Sequence, residues 1–366
     1  MRRRYLVPVA TLFAAAFLSV ACAQAVPAPA APTKAPEPAK SSPAQPAATA
    51  QPTTAAQPAA PTAAPEKKVD FPTKGKAITL SVGYPPGGAN DIGARLLAPV
   101  MEKALGVPVQ VVNKPGAGSQ VELTEVAAAK PDGYLIGQTV LAPAITAYLD
   151  PERKATFTRK SFQMLGNHYA FPIAVSVSAD SPYKTLKDVV DAAKAKPGSV
   201  KIGSTGILSN THLAGLQLQK LIGAKLSYVQ FDGGAPELTA LLGGHIDVSV
   251  NPVTEVVSQF KDGKIRVLGI TDKDEVPLLA GVKTLDSQGY PIMISGTTGY
   301  VLPANTPKDV LDVLSTALKK SVADPDLQKK LVDQAYLIKY MDPQQYDAYW
   351  AELEKTVEPL LPLAKE

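Results

Sequence analysis

Along most of this chain, short apolar runs of period two alternate with longer runs of period 3.6. Ile78, Leu80 and Val82 alternate with polar neighbours, which predicts a strand over Ala77–Tyr84. Ile92, Leu96, Leu97, Val100, Met101 and Leu105 share one stripe, which predicts a helix over Asp91–Leu105. The alternation continues with a strand at Val107–Asn113, a helix at Gln120–Ala129, the turn Lys130-Pro-Asp-Gly133 and a strand at Tyr134–Val140. A second block follows. Its strands are predicted at Phe171–Ser178, Lys201–Ser204, Leu226–Phe231, Ile246–Asn251 and Arg266–Thr271. Its helices are predicted at Thr185–Lys196, Asn210–Ile222, Ala235–Leu242 and Val253–Lys261. After a strand at Gly299–Pro303 the chain reads as mainly helical: Lys308–Ala323, Asp326–Gln334 and Pro343–Leu360.

Strands alternating with helices predict an α/β protein with parallel-rich sheets and helices on both faces. Two such blocks predict two lobes with a ligand cleft between them. The helical tail lacks strands of its own and is expected to pack back on the first block. The expected division is residues 71–176 with 298–366 in lobe 1, and 177–297 in lobe 2. Hinge crossovers are expected near Ala174–Ser178 and Thr297–Val301. Ligands in such sheets bind beyond the carboxyl ends of the strands.

Two glycine-rich turns sit at such ends. One reads Ser81-Val-Gly-Tyr-Pro-Pro-Gly-Gly-Ala-Asn-Asp-Ile-Gly-Ala-Arg95, the other Lys201-Ile-Gly-Ser-Thr-Gly-Ile-Leu-Ser-Asn-Thr-His-Leu213. A strand–turn–helix junction presents free backbone N–H groups at the positive end of a helix dipole, where an anion is held without a basic side chain. Two facing junctions would clamp a small dicarboxylate. Gly87, Gly88 and Ala89 let the backbone approach a ligand, and Asn90 or Asp91 can cap the helix. Asp91 caps or gates rather than touching a carboxylate. Ser204, Thr205, Gly206, Ser209 and Asn210 supply donors at the second turn. Tyr84 either flanks the ligand or ends a buried strand; Thr139 either lines the cleft or is core. His212 either donates to a ligand or packs its helix. Arg95 either reaches a ligand or ties its helix to the lobe. Asp232, after the third strand-like run of the second block, is a further candidate.

The N-terminus reads as a targeting segment. Arg2, Arg3 and Arg4 precede an apolar run from Tyr5 to Ala21 that is short for a spanning helix, so residues 1–21 are expected to be a signal peptide. Cys22, the only cysteine, closes Leu18-Ser-Val-Ala-Cys22, as in a lipoprotein signal; cleavage at Ala23-Gln-Ala25 is the alternative. Residues 22–70 are rich in Pro, Ala and Thr and cannot bury enough surface to offset chain entropy. They are expected to be a disordered tether reaching on the order of 100 Å from a lipid anchor. The expected location is thus extracytoplasmic, in the periplasm or on the outer face of the cell membrane, with membrane contact only through that anchor.

Composition narrows the function. The formal net charge of +4 includes the three leading arginines, so the chain without them carries +1. No basic patch interleaves with aromatics, which excludes a nucleic-acid partner. A single cysteine excludes intrachain disulfides and cysteine-based metal sites. His168, His212 and His245 are scattered. Gly116-Ala-Gly118 lacks the third glycine of a dinucleotide fingerprint, and neither a P-loop nor a Gly-x-Ser-x-Gly elbow occurs. No nucleophile–base pair emerges, so no enzyme activity, metal or cofactor is expected.

Several segments in order resemble the Bug family, the extracytoplasmic substrate-binding proteins of tripartite tricarboxylate transporters. They are Pro86-Gly-Gly-Ala-Asn-Asp-Ile-Gly-Ala-Arg95, Val111-Val-Asn-Lys-Pro-Gly-Ala-Gly-Ser119, Lys130-Pro-Asp-Gly-Tyr134 and Ala195-Lys-Pro-Gly198, then Gly203-Ser-Thr-Gly206 through His212-Leu213. Phe231-Asp-Gly-Gly-Ala-Pro-Glu-Leu238, Leu242-Gly-Gly-His-Ile-Asp-Val248, Asp262-Gly-Lys264 and Leu302-Pro-Ala-Asn-Thr-Pro307 continue it. The resemblance implies a two-lobed, periplasmic-binding-protein-like fold. It implies a small organic carboxylate ligand held by the two turns, transporter components as partners, and a monomer. A sensor feeding a signalling partner is the alternative to transport.

Overall fold

The computed structural model describes residues 70–292 and 294–365. The expected signal peptide, Cys22 and all but the last residue of the expected tether lie outside the described residues.

The chain runs β1 (Ile78–Val82), α1 (Ala89–Leu105), β2 (Val109–Asn113), α2 (Gln120–Ala128), β3 (Leu135–Val140), α3 (Leu141–Leu149) and β4 (Phe162–Phe171). It continues with β5 (Ile173–Ser178), α4 (Leu186–Ala195), β6 (Lys201–Ser204), α5 (Asn210–Ile222), β7 (Ser227–Gln230), α6 (Gly234–Leu242), β8 (Val248–Pro252), α7 (Val253–Lys261) and β9 (Ile265–Ile270). It ends with β10 (Gly296–Pro303), α8 (Lys308–Val322), α9 (Pro325–Val332), β11 (Leu337–Met341) and α10 (Pro343–Val357).

The strands form two sheets, ordered β11-β4-β10-β3-β1-β2 and β7-β6-β8-β5-β9. Each contains the same parallel triple. In the first, β1 lies between β2 and β3; in the second, β6 lies between β7 and β8. Each first strand is flanked by the next two through crossover helices, as parallel pairing requires. Antiparallel strands extend both sheets, so they are mixed: β10 pairs β3 and β4, β11 pairs β4, and β5 pairs β8 and β9.

The chain changes sheet at Pro172, between β4 and β5, four residues before the expected boundary at 176. Proline has no N–H to give a ladder, and it divides one long apolar run into two strands. The sequence pattern showed the second strand and only the last residue of the first. The return crossing precedes Gly296, ahead of the expected 297/298 division.

Two further elements were not predicted. α3 has Leu141 through Ala147 all buried, so it carries no polar face and no stripe. β11 is an edge strand, half-buried at every residue, and shows no clean alternation. The helical tail packs on the first sheet, α8 against α1 and β4, α10 against β4 and α3. Trp350 and Tyr346 are fully buried there, Trp350 stacking on Phe162 at 6.2 Å between ring centroids.

Candidate ligand-binding cleft

The turns that close the parallel triples meet across one cavity of about 960 Å³. Each triple ends in three junctions, one after each strand, and all six line it. The first sheet contributes Tyr84–Asn90 after β1, Ala117 and Gly118 after β2, and Pro143, Asp150, Glu152 and Arg153 beyond β3. The second contributes Thr205–Asn210 after β6, Gly233 and Gly234 after β7, and Pro252 and Glu255 after β8. Phe171, at the sheet changeover, also borders it. Two junctions were legible as glycine-rich turns; the other four follow from the rule that strand ends line the cleft.

Tyr84, Gly87, Gly88, Ala89, Asn90, Thr205, Gly206, Ser209 and Asn210 all line the cavity. Gly88 is the N-cap of α1, which therefore starts at Ala89 with no side-chain cap. Gly87 has φ +80° and Gly206 φ +117°, backbone that side chains resist. At the second turn Ser209 caps α5, its Oγ accepting from the His212 N–H at 3.2 Å. Thr211, which the sequence reading passed over, is buried beneath this turn. Its Oγ1 accepts from the Thr205 N–H at 2.9 Å and meets the Ser209 hydroxyl at 2.9 Å. The Asn210 Nδ2 is buried without a partner among the described residues, a donor left over at the cavity wall.

The remaining candidates sit behind the wall. Asp91 is 2 % exposed and holds the first turn: its carboxylate accepts from the Gly87 N–H at 2.8 Å, Arg95 Nε at 2.9 Å and Asn113 Nδ2 at 2.8 Å. Burial works against its charge, but these hydrogen bonds from Arg95, Gly87 and Asn113 outweigh it and lower its pKa. Arg95 thus ties the helix to the lobe. Thr139 is buried, its hydroxyl 2.6 Å from that of Tyr346. Ser204 donates to Gln230 Oε1 at 2.7 Å. His212 Nδ1 accepts from the Leu208 N–H at 3.1 Å, and burial lowers its pKa to about 4, so it stays neutral and packs its helix. Asp232 does not line the cavity; the backbone of Gly233 and Gly234 does.

Asp150, Glu152, Arg153 and Glu255 are the charged lining residues that the sequence did not single out; Asp150 and Glu152 are paired with Lys365. Arg153 Nη1 donates to Thr146 Oγ1 at 2.9 Å and Nη2 donates to the Ala117 carbonyl. Burial lowers its pKa, the charge of Asp150 opposing. The Glu255 carboxyl lies at the N-terminus of α6, so close that a Cβ on Gly234 would stand 1.9 Å from its Oε2. Burial raises its pKa, the Gly234 N–H opposing. Neither Arg153 nor Glu255 forms an ion pair among the described residues. Nothing in the local sequence marks Arg153; Glu255 had a signal, its place in the first turn of a helix that follows a strand.

Such a cleft, lined by both sheets with a few polar groups at helix ends, has the form of a small-molecule site. Residues 93–362 match the model of the tripartite tricarboxylate transporter family receptor. The chain belongs to this receptor family. It is 32% identical over 298 residues to the UPF0065 protein in the gbd 5′ region of Cupriavidus necator, covering 79% of this chain and 89% of that protein. It is 26% identical over 279 residues to the protein BugT of Bordetella pertussis, covering 75% and 82%. A solved solute-binding protein of this type from Polaromonas, without ligand, superposes with a TM-score of 0.70 at 28% identity, covering 80% of this chain and 99% of that one. The receptor is thus a solute-binding protein of the Bug type with a periplasmic-binding-protein fold, and the family is one of receptors rather than enzymes. No helix among the described residues is long and apolar enough to cross a membrane.

Proposed function

We propose that this receptor captures a small organic carboxylate outside the cytoplasm and delivers it to membrane components of a tripartite tricarboxylate-type transporter. The observation that carries the reading is that both glycine-rich turns, far apart in sequence, line one cavity with their helix N-termini. Gly87, Gly88, Ala89 and Asn90 on one side and Thr205, Gly206, Ser209 and Asn210 on the other are the ligand-contacting residues, with Tyr84 flanking. A few charge-assisted hydrogen bonds of about 1.5–3 kcal/mol each, with dipole terms of about 0.3–1 kcal/mol, suffice for micromolar affinity after entropy costs. Two lobes, divided at the sheet changeovers, close around the ligand, and the closed monomer is the form a transporter reads. Lipidation of Cys22 would hold the receptor at the membrane by its tether.

A thermal-shift screen of the full chain against mono-, di- and tricarboxylates tests this. A ligand at one hundred times its Kd adds about 2.7 kcal/mol, readily seen as a rise in Tm. No shift with any carboxylate, in a sample verified free of ligand, would overturn the reading.

A further inference from the structure

The two parallel triples share one topology. Glu255 lies in the first turn of the helix after β8, and Arg153 lies just past the end of α3, the helix after β3. Both line the cavity, one from each side. The two side chains carry opposite charges.

The first side balances its own charges. Asp150 and Glu152 share Lys365, whose Nζ is 3.3 Å from Asp150 Oδ1 and 2.7 Å from Glu152 Oε1. That leaves Arg153 facing the cavity with two of its N–H donors spent on Thr146 and Ala117 and about three remaining of the five a guanidinium carries. A carboxylate is the group that such a fork takes best. On the second side Glu255 has no ion-pair partner among the described residues, and a Cβ on Gly234 would meet both its Oε2, at 1.9 Å, and Asn251 Oδ1, at 2.3 Å. Burial raises the Glu255 pKa, the Gly234 N–H opposing, so a charge there gains from a cationic partner. A second carboxylate brought there meets repulsion; a protonated amine supplies the missing partner.

We propose that Arg153 and Glu255 are specificity-determining residues that orient an amino-carboxylate, its carboxylate on Arg153 and its protonated amine on Glu255, in preference to a simple dicarboxylate. This rests on the carboxylate-receptor reading and narrows it, since the pair of helix N-termini taken alone would favour a dicarboxylate.

Calorimetry on the ligand-free full chain tests it, with matched probes. One series runs from malonate to pimelate. The other carries an amine: glycine to 6-aminohexanoate, with aspartate and glutamate. The expected result is that an amine-bearing probe binds at least about tenfold tighter than the dicarboxylate of equal length. Glu255→Gln should erase that preference, and Glu255→Asp should keep part of it. Arg153→Gln should weaken both series alike. Circular dichroism verifies that each variant is folded. A preference for dicarboxylates, or a ratio unmoved by Glu255→Gln, overturns this inference and leaves the carboxylate receptor standing. Binding of no probe in either series, joined to a flat carboxylate screen, overturns the receptor reading and the inference with it.

Discussion

Glu122 and Glu237 occupy corresponding places, each fully buried on the helix that follows the second strand of its parallel triple. Each carboxyl lies over a sheet glycine. A Cβ on Gly137 would stand 3.0 Å from Glu122 Oε1, and one on Gly203 would stand 3.0 Å from Glu237 Oε1. The glycines make room for an acid where a sheet ordinarily carries a side chain.

Burial raises the Glu122 pKa well above its ordinary value and pushes Glu237 up to about 8. The folded state therefore holds protons that the unfolded chain releases near pH 4.5. Their contribution to stability is full below that pH and is lost as pH rises through about 8. Glu237→Gln keeps the acceptor for the Val250 N–H, which Glu237 Oε1 meets at 2.9 Å. It should stabilise the protein at pH 8 by on the order of a few kcal/mol and have little effect at pH 4.5. Urea denaturation of both proteins across that range checks it. Parallel pH profiles would show that Glu237 does not titrate on unfolding.

Gly88→Val should abolish ligand binding without unfolding the protein. Gly88 has φ −79° and ψ 168°, extended backbone that valine adopts, and its added Cβ would meet only the Pro85 carbonyl oxygen at 3.6 Å. The branched side chain would then fill the space above the first turn. A bulky residue at Thr205, such as Leu, should do the same from the other side. Affinity should fall at least about a hundredfold, with Tm changed by only a few degrees. Wild-type affinity in both variants would remove these turns from the site.

Asp91→Ala should cost about 1–3 kcal/mol, because it strips the Gly87 N–H, Asn113 and Arg95 of their common acceptor. The first turn loses its brace, so affinity should fall together with stability. Asp91→Asn retains an acceptor and should recover part of both. Denaturant midpoints and calorimetry on the same preparations separate this bracing role from direct ligand contact, which would cost affinity alone.

Lys339 on β11 of the first sheet pairs with Asp272, just beyond β9 of the second, at 2.9 Å, and also with Asp274. Asp272 is 10 % exposed at its side chain and has φ +103°. This ion pair ties the sheets together at their β11 and β9 edges. Lys339→Met should loosen that tie and alter the lobe-closure equilibrium. Small-angle scattering without ligand should then give a radius of gyration different from that of the wild type. An unchanged value would assign the pair to local packing.

The periodicities that revealed most strands and helices were those of half-buried elements, with one wet face and one dry. α3, buried from Leu141 through Ala147, and β11, half-buried throughout, lack that contrast and were invisible. The glycine turns were legible because their backbone demands are written in residue type. Side-chain direction was not. Asp91, Ser204 and His212 sit within the turns in sequence, yet each turns back to hydrogen-bond its own lobe. Arg153 and Glu255 looked like solvated surface charges, because only the fold brings the end of α3 and the start of α7 to the cleft.

Pro172, the single residue between β4 and β5, is fastened on the second-sheet side. Its carbonyl accepts from the Val253 N–H at 2.9 Å, while Ile173 exchanges hydrogen bonds with Thr271 at 2.8 and 2.9 Å. On the Phe171 side the other crossing strand lies alongside, Gly296 opposite Phe171 in register. Phe171 also borders the cavity. In the closure proposed above, the fulcrum and the ligand would share this residue. Any rotation there acts as a short-armed lever, in which a small displacement beside the ligand becomes a large one at the outer rims.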